Sequence, residues 1–442
     1  MAQDIVDFIH DFKLSDAPET TIREAERCVL DLLAVAAGGK KTPNSKIVET
    51  MVKQIGLPAP GVAGARLLFD GTRLSLPMAA MANATTIDSL DGHDGQRACK
   101  GHAGVVILPA VLAFSEEASP CSGEEFLARM IMGYEIACRA GEALHGTVPD
   151  YHTSGAWNGI AAAAIGARAL GLDREQTRHA LGTAEYYGPR SQMMRCIDFP
   201  TMVKDGATMG GFVGVLSALL AQEGFTGAPA ITLESEEAAP FWADLGQSWE
   251  MENQYLKPYP VCRWAQPAIF ATQKLVGPGK IDQVEKIRIE TFHNAVRLAV
   301  RRPLDTEQAQ YSLPFTVAAR AVRGKLGADE VAGSGLSDPK ILSLSDEIEL
   351  VEADEPNANF PAKRQARALV TMRSGETLDS GIVEPMGDPE TRLTDSEIAA
   401  KFDELAGVTI DSDRRARLQS LTNSLRSANG VQPWLQEVVT AA

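Results

Sequence analysis

With 442 residues, 45% of them apolar and 23% charged, the chain has the balance of a folded globular protein and is too long for one ordinary core. Its formal charge of −16 lacks the basic footprint that nucleic acid or an anionic membrane requires, so neither is expected as a partner. A small anion held by local cations remains open, because salt screens the global field within about 8 Å. The six cysteines, at 28, 99, 121, 138, 196 and 262, include no CxxC pair and fit free thiols in a reducing compartment. The start, MAQDIVDFIHDF, has acids where a signal peptide has a basic segment, and the longest apolar runs (104–114 and 212–221) are too short to span a bilayer. The expected location is cytoplasmic.

From residue 17 to about 225 the pattern is helix after helix. Ile22, Ala25, Val29, Leu32 and Leu33 keep a helical period, and Gly38-Gly39 is expected to close that helix in left-handed geometry. Ser122 with Glu125, and Asp173 with Gln176, read as capping boxes or their relatives. GAWNGIAAAAIGARALG (155–171) and GATMGGFVGVLSALLA (206–221) are rich in small residues and read as inner helices whose backbones approach closely. No strand-like alternation interrupts this stretch. Near 280 the period changes to two: KIRIETF (286–292) and EIEL (347–350) alternate, and residues 366–384 read as a hairpin turning at Ser374-Gly375. One helix, 313–327, lies between them, and helices resume at Thr394, boxed by Glu397. The expected fold is mostly α, a large all-helical domain (1–265, completed by 392–442) with a smaller α+β lid domain (266–391).

Four segments gather the residues able to do chemistry. LDGHDGQRACKGHAG (90–104) joins two helical runs and puts His102 at the mouth of the second, where free N–H groups favour an anion and a neutral histidine. It reads as an acid–base site, a solvated loop, or a metal site using Asp88, Asp91, His93, Asp94 and His102. The spacing of those five matches no compact zinc or calcium signature, and Arg97 and Lys100 add positive charge. His152, with Tyr151 beside it, precedes Ser154, a candidate N-cap, and is either structural or catalytic. Lys204 stands before a Gly-rich helix, where it either meets an anion, sheds its proton, or snorkels to the surface. The Gly206/Gly210/Gly211/Gly214 series has no preceding strand, so it reads as close helix packing rather than a phosphate loop. KPYPVCRWAQPAI (257–269) brings Lys257 and Arg263 to a domain border, the usual place for a small-ligand cleft, or else to a plain linker.

The order of these motifs, HAGVVILPA, YHTSGAWNGIAAAAIGARALGL, VKDGATMGGFVGVLSALLAQEGFTG and KPYPVCRWAQP, resembles the MmgE/PrpD family over nearly the whole chain. The resemblance implies a helical domain, an α+β lid, a homodimer, and a site without cofactor or metal acting on di- or tricarboxylates. By motif it implies Asp91, His102, His152, Lys204 and Lys257 as catalytic. Arg97, Lys100, Tyr151 and Arg263 are the expected substrate-binding residues. Two departures stand out: the family's dehydratases and decarboxylases typically carry Asp-aromatic-Asp-Asp-Thr where this chain has Asp91-Gly92-His93-Asp94-Gly95, and a lid tyrosine of the decarboxylases falls on Phe315.

Every reaction expected of such a site passes through charge on the carbon next to a carboxylate, which needs a neutral base and cations to hold that charge. His102 oriented by Asp91 is the first base, with His152 or Lys204 on the opposite face. Two opposed bases give epimerisation, so the leading expectation is an epimerase acting on iminodisuccinate or a similar amino or imino diacid. The alternative is a hydro-lyase or decarboxylase on a citrate-like acid, and a catalytically silent dicarboxylate-binding protein is the third.

Overall fold

Small side chains on facing surfaces let the helices of the first half stack closely. In the computed structural model, which describes residues 2–442, the helical body contains α1 (Glu19–Gly39), α2 (Leu76–Asp88), α3 (Gly104–Ser115), α4 (Gly123–Thr147), α5 (Gly155–Leu170), α6 (Arg174–Tyr187) and α7 (Ala207–Gln222). Every residue of α3 is buried, as expected of a helix that is apolar all round. The Gly/Ala-rich α5 and α7 lie against each other, and α7 also touches α2 and α6. A methyl added at Gly214 would come 2.2 Å from the Gly159 carbonyl oxygen, so the glycine series serves close packing.

Three local expectations are corrected. Neither Gly38 nor Gly39 has a positive φ; glycine is needed at 39 because a β-carbon would lie 2.0 Å from the Thr86 carbonyl oxygen. Ser154 makes no side-chain cap at the start of α5, since its hydroxyl is engaged elsewhere. The helical half also holds short extended pairs: Gly64–Arg66 pairs with Arg73–Ser75, and Gly95–Gln96 pairs with Gln254–Tyr255, both antiparallel.

The second half builds a four-stranded sheet from β1 (Val284–Thr291), β2 (Ile348–Glu352), β3 (Ala366–Met372) and β4 (Thr377–Val383), in the order β2-β1-β3-β4. β1 and β2 are parallel, with Ile287 opposite Ile348, while β3 is antiparallel to β1 and to β4. α8 (Gln266–Gln273) covers β3 and β4, and α9 (Leu313–Arg323) packs on α10 (Pro339–Glu347) and β2. The hairpin turns with Gly375 at φ +87°, as its sequence demands. α11 (Asp395–Ala406), opened by the Thr394/Glu397 box, returns the chain to α1, as does α12 (Ser412–Asn423). The fold is therefore a large helical part with a smaller α+β part.

Candidate functional site

The loop between α2 and α3 is drawn into the interior by long-range partners. The Gly95–Gln96/Gln254–Tyr255 pairing brings residue 257 beside residue 91, and Gln96 N–H donates back to the Gly101 carbonyl at 2.9 Å. There Lys257 Nζ donates to Asp91 Oδ1 at 2.5 Å and approaches the Asp91 carbonyl oxygen at 3.3 Å. Both side chains are buried. Burial alone would raise the Asp91 carboxyl, but the ammonium groups of Lys257 and Lys204 pull it well below the usual carboxylate range. Gln310 connects the pieces: its Oε1 accepts from Asp91 N–H at 2.8 Å and from Lys204 Nζ at 2.6 Å. Its Nε2 donates to the Ser89 carbonyl at 3.0 Å and to Thr306 Oγ1 at 2.7 Å. Lys204 is thus buried, but its partners are a neutral amide and the face of Tyr311, 5.0 Å away, rather than an adjoining carboxylate. Lys100 and Lys204 hold φ of +56° and +46°, two of the three non-glycine residues with positive φ among those described. Such strain concentrates at working sites.

His102 has its ring Nδ1 at 2.6 Å from the Asp94 carbonyl oxygen. A carbonyl only accepts, so Nδ1 carries the proton and Nε2 is left with a free lone pair. The backbone N–H of His102 donates to Ser154 Oγ at 2.8 Å, which explains the missing cap. His93 stands edge-on to His102 with ring centres 4.5 Å apart, and its Nε2 is 3.4 Å from Asp88 Oδ1 and 3.8 Å from Asp91 Oδ1. Burial, then the charges of Lys257 and His93, push His102 well below the ordinary histidine value, so it is neutral at pH 7. Unlike Asp91, His93 and Asp94, it keeps partial exposure, as an atom that meets substrate must. Behind this layer Lys401 of α11 donates at 2.6 Å to both Asp31 and the Gly92 carbonyl, pinning the loop.

Asp91, His93 and His102 offer ligand atoms within 4.8 Å of one another, the geometry of a possible cation site. Lys257 already neutralises Asp91 and Lys204 adds a second ammonium, so a dication would meet repulsion there. The donor set suits acid–base chemistry better.

Of the residues expected from sequence, Asp91, His102, Lys204 and Lys257 converge. Arg263 lies on their margin, 4.6 Å over the ring of Tyr255, whose edge faces His102 with centroids 6.3 Å apart. Its Nη2 is 2.7 Å from Asp388 Oδ1. Tyr151 donates its hydroxyl to the Lys100 carbonyl at 2.9 Å, and the Lys100 ammonium lies 5.9 Å from the Tyr151 ring. His152 stacks at 6.4 Å on His145; burial and then Arg190 lower it, and none of the charges acting on it belongs to the His102 cluster. Arg97 is turned to Glu390 at the surface. Phe315, fully buried in α9, takes no part, whereas Tyr311 four residues earlier faces Lys204. The sequence reading did not select Gln310, Tyr311, Tyr255, Ser154 or Lys401, and weighed His93 only as a metal ligand. A cavity of about 730 Å³ borders Lys204 and Thr153, rimmed by the exposed Ile47, Phe199, Val203 and Met209. Among the described residues no helix is long and apolar enough to cross a membrane.

Comparison with known proteins is consistent over the full length. Residues 3–245 match the MmgE/PrpD N-terminal domain and residues 259–427 the MmgE/PrpD C-terminal domain. A cis-aconitate decarboxylase-like protein of Aspergillus oryzae is 25% identical over 98% of this chain and 96% of its own. A cis-aconitate decarboxylase of Aspergillus terreus is 22% identical, covering 95% and 92%. A mitochondrial 2-methylcitrate dehydratase of Yarrowia lipolytica is 27% identical, covering 89% and 81%.

Proposed function

The chain belongs to the MmgE/PrpD family, and from that premise we propose that it is a cofactor-independent hydro-lyase acting on a citrate-like polycarboxylic acid. The observation that carries this reading is His102, neutral, with Nε2 unengaged, the Lys257 ammonium acting on it, and Lys204 joined to neighbouring Asp91 through Gln310. A neutral histidine takes a proton rather than giving one, and removal of a proton next to a carboxylate begins a dehydration. In this reading His102 Nε2 accepts the α-proton while Lys204 and Lys257 hold the charge that develops on the carboxylate. The C–H bond breaks, the electron pair forms the double bond, and the β-hydroxyl leaves as water with a proton from an acid. Asp205, next to Lys204, suits that role: burial and the nearby Asp88 raise it to about 7, and its Oδ2 is buried without a partner.

Decarboxylation is the second reading, favoured by the two Aspergillus relatives, whose matches cover the larger shares of the chain. It ends by adding a proton to carbon, whereas the neutral His102 is set to take a proton from carbon. The epimerase expectation receives less support, since the relatives' names are those of lyases and, of its two candidate second bases, His152 stacks on His145 and Lys204 donates to Gln310. The apolar rim of the cavity beside Lys204 supports a homodimer in which a second copy covers that mouth. The free, mostly buried cysteines support a reducing compartment, the cytoplasm in our reading.

The test is incubation with 2-methylcitrate, citrate and cis-aconitate, following the ultraviolet absorbance of the conjugated double bond and carbon dioxide together. The expected result is reversible interconversion of hydroxy acid and alkene without gas. Carbon dioxide in step with loss of cis-aconitate assigns the decarboxylase instead. Inertness toward all three, with solvent deuterium entering an imino or amino diacid, restores the epimerase.

A further inference from the structure

The loop between the short helix Asp354–Asn359 and β3 is firmly held. Lys363 Nζ and Gln365 Nε2 both donate to Glu384 Oε1 at 2.9 Å, Thr291 Oγ1 donates to the Gln365 carbonyl at 2.8 Å, and Phe360 stacks on Phe292 at 4.5 Å. Between these anchors Arg364 is only 6% exposed, and its Nε and Nη1 are buried with no hydrogen-bond partner. The other buried arginines all have acidic partners: Arg129 has Glu125, Arg139 has Glu135 and Asp244, Arg263 has Asp388, and Arg414 has Glu437. A guanidinium cannot shed its charge, so a buried one without an anion is a costly feature that calls for a missing partner.

The surroundings say where that partner sits. The charge of Arg364 acts on the phenols of Tyr151 and Tyr255 and on Arg263. Tyr255 carries Arg263 over its ring and turns its edge to His102. Arg263 and Arg364 are thus two buried guanidiniums acting on Tyr255, and among the described residues Asp388 pairs with Arg263 while no acid pairs with Arg364. We infer that Arg364 binds a second carboxylate of the substrate, one remote from the carbon whose proton His102 removes. This rests on the reading of the site as acting on a polycarboxylic acid, and it adds the group that selects di- and tricarboxylates over monocarboxylates. Arginine suits the task because its two-pronged donor edge matches a carboxylate.

The probe is propane-1,2,3-tricarboxylate, an inert triacid, with butanoate as the monocarboxylate control. Both are titrated calorimetrically and by thermal melting into the full chain and its Arg364→Gln and Arg364→Lys variants. The triacid is expected to raise the melting temperature of the unaltered protein. Arg364→Gln is expected to weaken it about 10- to 100-fold, Arg364→Lys less, with butanoate unchanged. Because Arg364 has no partner in the free protein, the ligand-free glutamine variant keeps or raises its melting temperature, which a structural arginine would not allow. Triacid affinity unaltered in both variants, no triacid binding by the unaltered protein, or a lowered ligand-free melting temperature in both variants overturns the assignment. Loss of triacid affinity in a protein that turns over no citrate-like acid leaves the assignment standing and removes the lyase reading. Turnover with unchanged KM in both variants removes the assignment alone.

Discussion

Replacing Lys257 by methionine takes the ammonium from Asp91 and leaves a carboxylate that is 3% exposed, 2.5 Å from where its partner was. Breaking a buried pair from one side costs about 3–5 kcal/mol. Lys204 still acts on Asp91, which puts the cost near about 3 kcal/mol, below the about 5–15 kcal/mol that holds a native domain together. The variant folds and is weakened. Its pH dependence follows from sign. In the unaltered protein Asp91 titrates below its unfolded value, so its contribution is complete above about pH 4 and is lost only in acid. Without Lys257 the burial of Asp91, the largest influence on it, is expected to outweigh the remaining cations and carry the folded carboxyl above its unfolded value, so the variant loses stability as pH rises from about 4. Urea denaturation at pH 5 and pH 8 measures the gap, with Asp91→Asn/Lys257→Met as the control that removes both charges. The gap is expected to be larger at pH 8, and the double variant to recover at least half of it. An equal gap at both pH values, undiminished in the double variant, would refute the argument.

His102→Gln is expected to lower kcat about 10²- to 10⁴-fold with little change in melting temperature. Because His102 must be neutral and its pKa is lowered, kcat/KM of the unaltered enzyme should rise with pH with an inflection below 6.5 and fall again as Asp205, raised to about 7, loses its proton; a rising limb centred at 7 or above contradicts this. Glu135 is buried and raised to about 8, so the folded state holds its proton more tightly than the unfolded chain. That contribution is full below about pH 4.5 and declines as pH rises to 8; Glu135→Gln should flatten the decline between pH 5 and 8, and an identical slope in the variant would count against it. Phe199→Asp with Val203→Asp, both on the exposed apolar rim, should halve the mass in sedimentation equilibrium, and an unchanged mass would argue that this rim is not the interface between copies.

Local signals in the sequence carried much of the architecture. The Asp173/Gln176 and Thr394/Glu397 boxes, the glycine-rich inner helices and the hairpin at Ser374-Gly375 are encoded within a few residues of themselves. The site was legible only in part, because its assembly is non-local. The two-residue pairing of Gly95–Gln96 with Gln254–Tyr255 leaves no periodicity to read, yet it delivers Lys257 to Asp91. Gln310 and Tyr311 sit at the end of the short helix Thr306–Gln310 and acquire meaning only from the distant Asp91 and Lys204. Arg364, among several basic residues near the hairpin, is distinguished by a missing partner, which no sequence displays. Ser154 illustrates the converse: a good capping residue whose hydroxyl a remote backbone N–H claimed.

The central claim is that His102, flanked by Lys204 and Lys257, removes a proton from the carbon next to a carboxylate. Incubating the enzyme and its His102→Gln variant in deuterium oxide with a turned-over hydroxy acid, and reading deuterium at that carbon by mass spectrometry, tests it most directly. The account predicts one deuterium entering the recovered acid with the unaltered enzyme and none with the variant; equal incorporation in both would contradict it.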